Sequence, residues 1–214
     1  MKTDELIGML ATGGAETKPN AVGRRYAIAL VCGVTVAVIL MLMIIGGPRP
    51  DLSAAAHLPM FWVKLAFPTI VLVAALFTAG RLSRPGARLG LTPAGLLLPV
   101  IVIWSLAAVV LPGATPAERE WLIYGVSWRV CSMNVAMLSA PVFVGTLWAM
   151  KGLAPTAPVQ AGAVSGLLAG ATGALVYSFY CPEMAAPFIG AWYTLGMLIP
   201  AVLGGVVGAK VLRW

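Results

Sequence analysis

Six stretches of this chain are each about twenty residues long and nearly free of charge: Tyr26–Gly46, Met60–Gly80, Pro93–Leu111, Arg129–Met150, Val159–Tyr180 and Phe188–Ala209. A helix of that length rises about 30 Å, the thickness of a bilayer's hydrocarbon core. Six such runs in 214 residues leave no room for a sizeable soluble domain. The composition agrees: 60% of the residues are hydrophobic and 10% charged, where a soluble domain carries about a quarter charged. In hydrocarbon every backbone polar group must be satisfied within the protein, and unbroken apolar runs of this length do that as helices. The expected fold is therefore all-α, a polytopic bundle of six transmembrane helices. It divides into an N-terminal segment, residues 1–25, and a transmembrane domain, residues 26–214.

The net charge of +7 raises the question of nucleic acid. The basic residues, however, stand at the ends of the apolar runs, where they set membrane topology. With the N-terminus inside, one face holds Lys2, Lys18, Arg24, Arg25, Arg81, Arg84, Arg88, Lys151, Lys210 and Arg213. The other holds Arg49, Arg119 and Arg129, with Lys64 just within the second run. Ten against four places both termini in the cytoplasm. The first run is longer than the core of a secretory signal, so it is read as an uncleaved span.

This topology puts Cys131, at the start of the fourth run, and Cys181, just after the fifth, at similar depth on the outer side. Cys32 lies near the opposite side, within the first run. Three readings of the outer pair stand: small residues in helix packing, a disulfide clamping two neighbouring spans, or thiols that meet an oxidant or a soft metal. Arg129 favours a thiolate at Cys131 if the two lie close. His57, Glu183 and Met184 are candidate further ligands. There is no CxxC or HExxH motif and no glycine-rich phosphate loop, so neither a resident metal nor a cofactor is expected.

Lys64, in "FWVKLAFP", stands about one turn inside the second run and is expected to snorkel to the interface. Asn134 is expected to bond across helices. Gly162, Gly166 and Gly170 in the fifth run, and Gly196, Gly204 and Gly208 in the sixth, let helices approach closely. Most tryptophans form an interfacial belt, with Trp104 packed between helices. At the N-terminus Thr3 is an N-cap, Asp4 and Glu5 suit the helix dipole, and Leu6, Ile7 and Leu10 form an apolar face. A helix of about ten residues is marginal alone, so these residues order by docking on a partner or a membrane.

Taken together, "MKTDELI", "RPDL", "FWVKLAFP", "RPG", "CSMN", "YCPE", "FIGAWYTLGM" and "LGGVVGAKVLRW" resemble the NrsF-type family of six-span membrane anti-sigma factors. The likeness covers nearly the whole chain. It implies a bacterial inner-membrane protein, not an enzyme, that makes no direct contact with nucleic acid. Its partner is implied to be an extracytoplasmic-function sigma factor, sequestered by the N-terminal segment through Asp4, Glu5, Leu6, Ile7 and Leu10 with help from Arg81, Arg84 and Arg88. It further implies that Cys131 and Cys181 sense oxidative or heavy-metal stress. Two other classes remain: a small permease with Lys64 and Asn134 on a polar path, and a membrane thiol oxidoreductase using Cys131 and Cys181.

Overall fold

The computed structural model describes residues 21–83, 92–153 and 155–213, and among them there are helices and no strand. Helix α1 runs Ala21–Leu40 and ends in a π turn, Met41–Ile45. Gly46 closes it at φ 107°, its N–H returning to Met41 O, a left-handed cap that glycine adopts without strain. A short helix, α2, covers Leu52–Ala55; α3 is Pro59–Leu82 and α4 Thr92–Val110. Then come α5, Pro116–Tyr124, α6, Trp128–Lys151, and α7, Pro158–Ser178. The last helix, α8, spans Ala186–Val211 and contains a π turn at Ile189–Tyr193.

All six apolar runs of the sequence are helices long and apolar enough to cross a membrane. Interior prolines at 68, 99, 141 and 200 do not end α3, α4, α6 or α8, as is usual where neighbouring helices and side-chain hydroxyls satisfy the freed backbone. Helix α5 was not expected. It starts in "TPAE", where Thr115 Oγ1 accepts from the Glu118 N–H and the Glu118 carboxylate accepts from the Thr115 N–H, a reciprocal cap.

Helix α7 occupies the centre, packed against α8, α6 and α3. Between α7 and α8 the contact is backbone on backbone. A Cβ on Gly166 would overlap Pro200 O, one on Gly162 would overlap Gly204 O, and one on Gly170 would lie 2.8 Å from Met197 Cα. Lipid tails are as apolar as leucine, so such close approach, rather than hydrophobic burial, holds membrane helices together. Helix α1 packs on α6 in the same manner: a Cβ on Gly33 would sit 2.8 Å from Val142 Cα, and one on Gly145 3.1 Å from Ala29 O.

The bundle has two distinct ends. Tyr26, Leu82, Leu147, Met150, Ala161 and Leu212 share one apolar cluster, so α1 begins and α8 finishes at the same end. Arg24, Arg25, Arg81, Lys151, Lys210 and Arg213 belong to this end, with the Arg25 guanidinium 5.5 Å over the Trp148 ring. The other end gathers Met41, Cys131, Tyr177, Cys181, Phe188 and Tyr193.

Candidate functional site

The segment joining α7 to α8 contains Cys181, Pro182 and Glu183, and these three consecutive carbonyls accept hydrogen bonds from cations. Lys64 Nζ donates to Cys181 O at 2.5 Å and to Glu183 O at 2.9 Å; Arg49 Nη1 donates to Pro182 O at 3.2 Å. The Arg49 N–H also donates to Phe179 O, 3.0 Å away. The Glu183 carboxylate turns the other way and accepts from the Val126 N–H at 2.7 Å. That approach needs Gly125, at φ 53°, since a Cβ there would lie 2.5 Å from the carboxylate. The turn is thereby tied to the α1–α2 connection, to α3 and to the α5–α6 connection at once.

Lys64 corrects the expectation of snorkelling. It is completely buried and lies 5.8 Å from the centre of the Tyr193 ring. An ammonium in such a place is tolerated only with its charge engaged, and the two carbonyls of the turn do this better than a reach toward water. Arg49 is aimed by a fork onto Asp51, with Nε–Oδ1 at 2.6 Å and Nη2–Oδ2 at 2.5 Å. This fork holds the exposed Asp51 carboxyl below its usual range and raises the guanidinium further.

Beneath the turn lie the thiols. Cys131 and Cys181 are both fully buried and free. They belong to one cluster. Ser127 Oγ is 4.0 Å from the Cys181 sulfur. Cys181 lies outside the spans, and its thiol is held below the ordinary range, chiefly by the Cys131 thiol, with the Lys64 charge adding and burial opposing. The hydroxyls of Tyr177 and Tyr193 are buried without a well-formed hydrogen bond. Asn134 is the polar group facing Tyr177 across the α6–α7 contact, while Ser178 and Cys181 face Tyr193. The π turn in α8 sits beside this cluster, and its carbonyl at Trp192 is satisfied by Ser132 Oγ at 2.9 Å. Such turns recur at functional sites because they re-aim side chains without breaking a helix.

Sequence reasoning brought Cys131 and Cys181 to one depth, and the structure brings them into one cluster. Arg129 does not join them: it is exposed and stacks 5.3 Å over the Trp128 ring. His57 is exposed, and among the described residues no three His, Cys, Asp or Glu side chains gather at metal-binding spacing. Cys32 is exposed on α1, away from the pair. Trp104, expected between helices, rests one edge of its ring 3.5 Å from where a Gly190 Cβ would stand, yet 46% of its surface faces outward. A permease path through Lys64 and Asn134 finds Lys64 bound to the turn instead. The residues expected to bind a partner, Asp4, Glu5, Leu6, Ile7 and Leu10, and the arginines at 84 and 88, lie outside the described residues. Sequence reasoning missed Arg49 and the role of Lys64. The available signal was their company, since "RPDL", "FWVK", "CSMN", "YCPE" and "FIGAWY" all meet at this one end.

The fold and this end define a multi-span membrane protein with a buried thiol pair. Comparison with known proteins identifies the group: residues 10–214 match the family described as NrsF, negative regulator of sigma F. The chain is 50% identical to the probable anti-sigma-F factor NrsF of Azospira oryzae over 214 residues, covering the whole of both. It is 36% identical to the anti-sigma-F factor NrsF of Caulobacter vibrioides over 220 residues, again covering both chains fully. The chain belongs to the NrsF family. No solved structure matches it.

Proposed function

We propose that this protein is an anti-sigma factor of the bacterial inner membrane. It holds an extracytoplasmic-function sigma factor at its basic, cytoplasmic end and releases it when Cys131 and Cys181 meet an oxidant or a soft metal at the outer end. The observation that carries the first half is the full-length match to anti-sigma-F factors. The second half is supported by two thiols buried together beneath one cation-held turn. The sigma factor is held by residues 1–25, with Asp4, Glu5, Leu6, Ile7 and Leu10 as the contact set, and this segment leads directly into α1.

The route between the ends runs through α6. Cys131 lies in its first turn, and its middle packs backbone to backbone on α1 at Gly33–Val142 and Gly145–Ala29. A shift of α6 at Cys131 therefore moves α1 and the segment before it. A coupling of about 1–3 kcal/mol changes affinity roughly 5–150-fold, enough to free a sigma factor.

The test is a sigma-dependent reporter in cells carrying wild type, Cys131→Ser, Cys181→Ser and the double variant, with and without oxidant or cadmium, at matched protein levels. The expected result is normal repression with no response in the cysteine variants. A wild-type response from the double variant would place sensing elsewhere. Loss of sigma-factor co-purification on deleting residues 1–20 is the expected result for the docking segment.

A further inference from the structure

The two thiols are not equivalent. Cys131 is part of a helix, its N–H bonded to Ser127 O at 3.0 Å. Cys181 stands in the turn, its own carbonyl bonded by the Lys64 ammonium from α3 at 2.5 Å and its sulfur 4.0 Å from Ser127 Oγ at the start of α6. Cys131 from α6 and Tyr193 from α8 share its buried cluster, with Lys64 Nζ 5.8 Å from the Tyr193 ring centre. Lys64 is the one full positive charge in direct contact with the Cys181 residue; Arg49 adds a more distant one. The rings of Tyr177, at the end of α7, and of Tyr180, two residues beyond it, lie 5.7 Å apart. Of the two acids by the turn, Glu183 has its carboxylate turned onto Val126 and Asp51 is engaged by Arg49. Position in the first turn of α6 gives Cys131 a partial positive field, about half a charge shared over the helix end. An ammonium bonded to the carbonyl of Cys181 itself is a whole charge in a water-poor site, and it outweighs that field.

We propose that Lys64 is the positioning residue of the thiol pair, making Cys181 the attacking sulfur and leaving Cys131 as the resolving one. This rests on the reading of the pair as the sensor. With a hydroperoxide as the oxidant, the Cys181 thiolate attacks the O–O bond. An S–O bond forms, the O–O bond breaks, and the leaving oxygen takes a proton to give water or an alcohol. The Cys131 thiol then attacks the resulting sulfenic acid. The S–S bond forms and the S–O bond breaks, the departing hydroxyl takes the Cys131 proton, and water leaves. Two electrons pass from the thiols to the peroxide. Lys64 takes no part in either proton transfer. Its two carbonyl partners belong to the turn that carries Cys181, so a change in the sulfur's charge is felt by the turn that Lys64 holds.

The test uses the full chain with Cys32→Ser in lipid nanodiscs, treated with iodoacetamide across a pH series, each cysteine followed by peptide mass spectrometry. We expect Cys181 to react about tenfold faster than Cys131 near neutral pH, with a midpoint below the ordinary thiol value of about 8.5. Lys64→Met is expected to slow Cys181 about tenfold near neutral pH and move its midpoint up, and Lys64→Arg to restore most of the rate. The proposal is overturned if Cys131 is the faster thiol in wild type, or if neither is labelled in the folded protein. It is equally overturned if Lys64→Met leaves the midpoint unchanged or speeds the reaction, which would make Lys64 only a latch on the turn. The wild-type comparison of the two cysteines needs no variant to fold. Because the labelling involves no sigma factor, its failure is separate from a failure of the reporter assay.

Discussion

Helices α7 and α8 are held together in two different ways along their length. Toward the basic end, Gly162, Gly166 and Gly170 press against the backbone of Gly204, Pro200 and Met197, and no side chain of α7 at these positions separates the two axes. Toward the other end, the helices make room for two tyrosines, two cysteines and a lysine, and α8 passes through its π turn. The first half has no chemistry and no slack. The second half is tied by directional bonds that each depend on a partner's charge or protonation. A change in the polar half is therefore expected to pivot on the glycine half instead of dissolving the pair.

The sharpest way to break this contrast is Gly166→Leu. A Cβ at that position already overlaps Pro200 O, so the helices must separate along their whole contact. The expected cost is upward of about 3 kcal/mol, read as loss of monodisperse protein in detergent. If Gly166→Leu folds normally, the glycine seam is not the fixed half. A smaller effect is expected from Lys64→Met. It leaves Cys181 O and Glu183 O without their donor, but it also removes a charge whose burial is itself costly. The net loss is about 1–2 kcal/mol, seen as a lowered thermal midpoint with the fold retained. Faster amide exchange should be confined to residues 181–185. Exchange spreading along the whole of α7 would mean that the two halves are one unit.

The glycine half was legible in the sequence because its signal is periodic: glycines four apart in a helix lie on one face, whatever they touch. The six spans were legible for a similar reason, since a bilayer imposes one length on all of them. The polar half was only partly so. Counting spans brings Cys131 and Cys181 to one depth, but no count shows how far each helix is rotated or that the turn after α7 folds back over the pair. Lys64 was misjudged for the same reason. About one turn inside a span, a lysine reaches water or a protein carbonyl with equal ease, and the choice is made by residues 117 and 119 positions away. Arg49 carried no signal beyond its place in "RPDL" after the first span, because its aim depends on the fork with Asp51.

That fork offers the finest test of the polar half. Asp51 is fully exposed and acts only through Arg49, which it orients toward Pro182 O. The fork lowers the Asp51 pKa in the folded protein. Whatever it contributes is thus present above the ordinary carboxylate value of about 3.9, and is lost as pH falls through the lower folded value. Water and salt screen an exposed pair, so the effect is expected to be the smallest of the three. Asp51→Asn should leave the thermal midpoint almost unchanged while increasing amide exchange in the Cys181 turn at neutral pH. The difference from wild type should vanish in acid, where Asp51 is protonated. Protection that differs equally at every pH would mean that Asp51 shapes the α1–α2 connection by its size alone. Arg49 would then hold Pro182 O without help from the Asp51 charge.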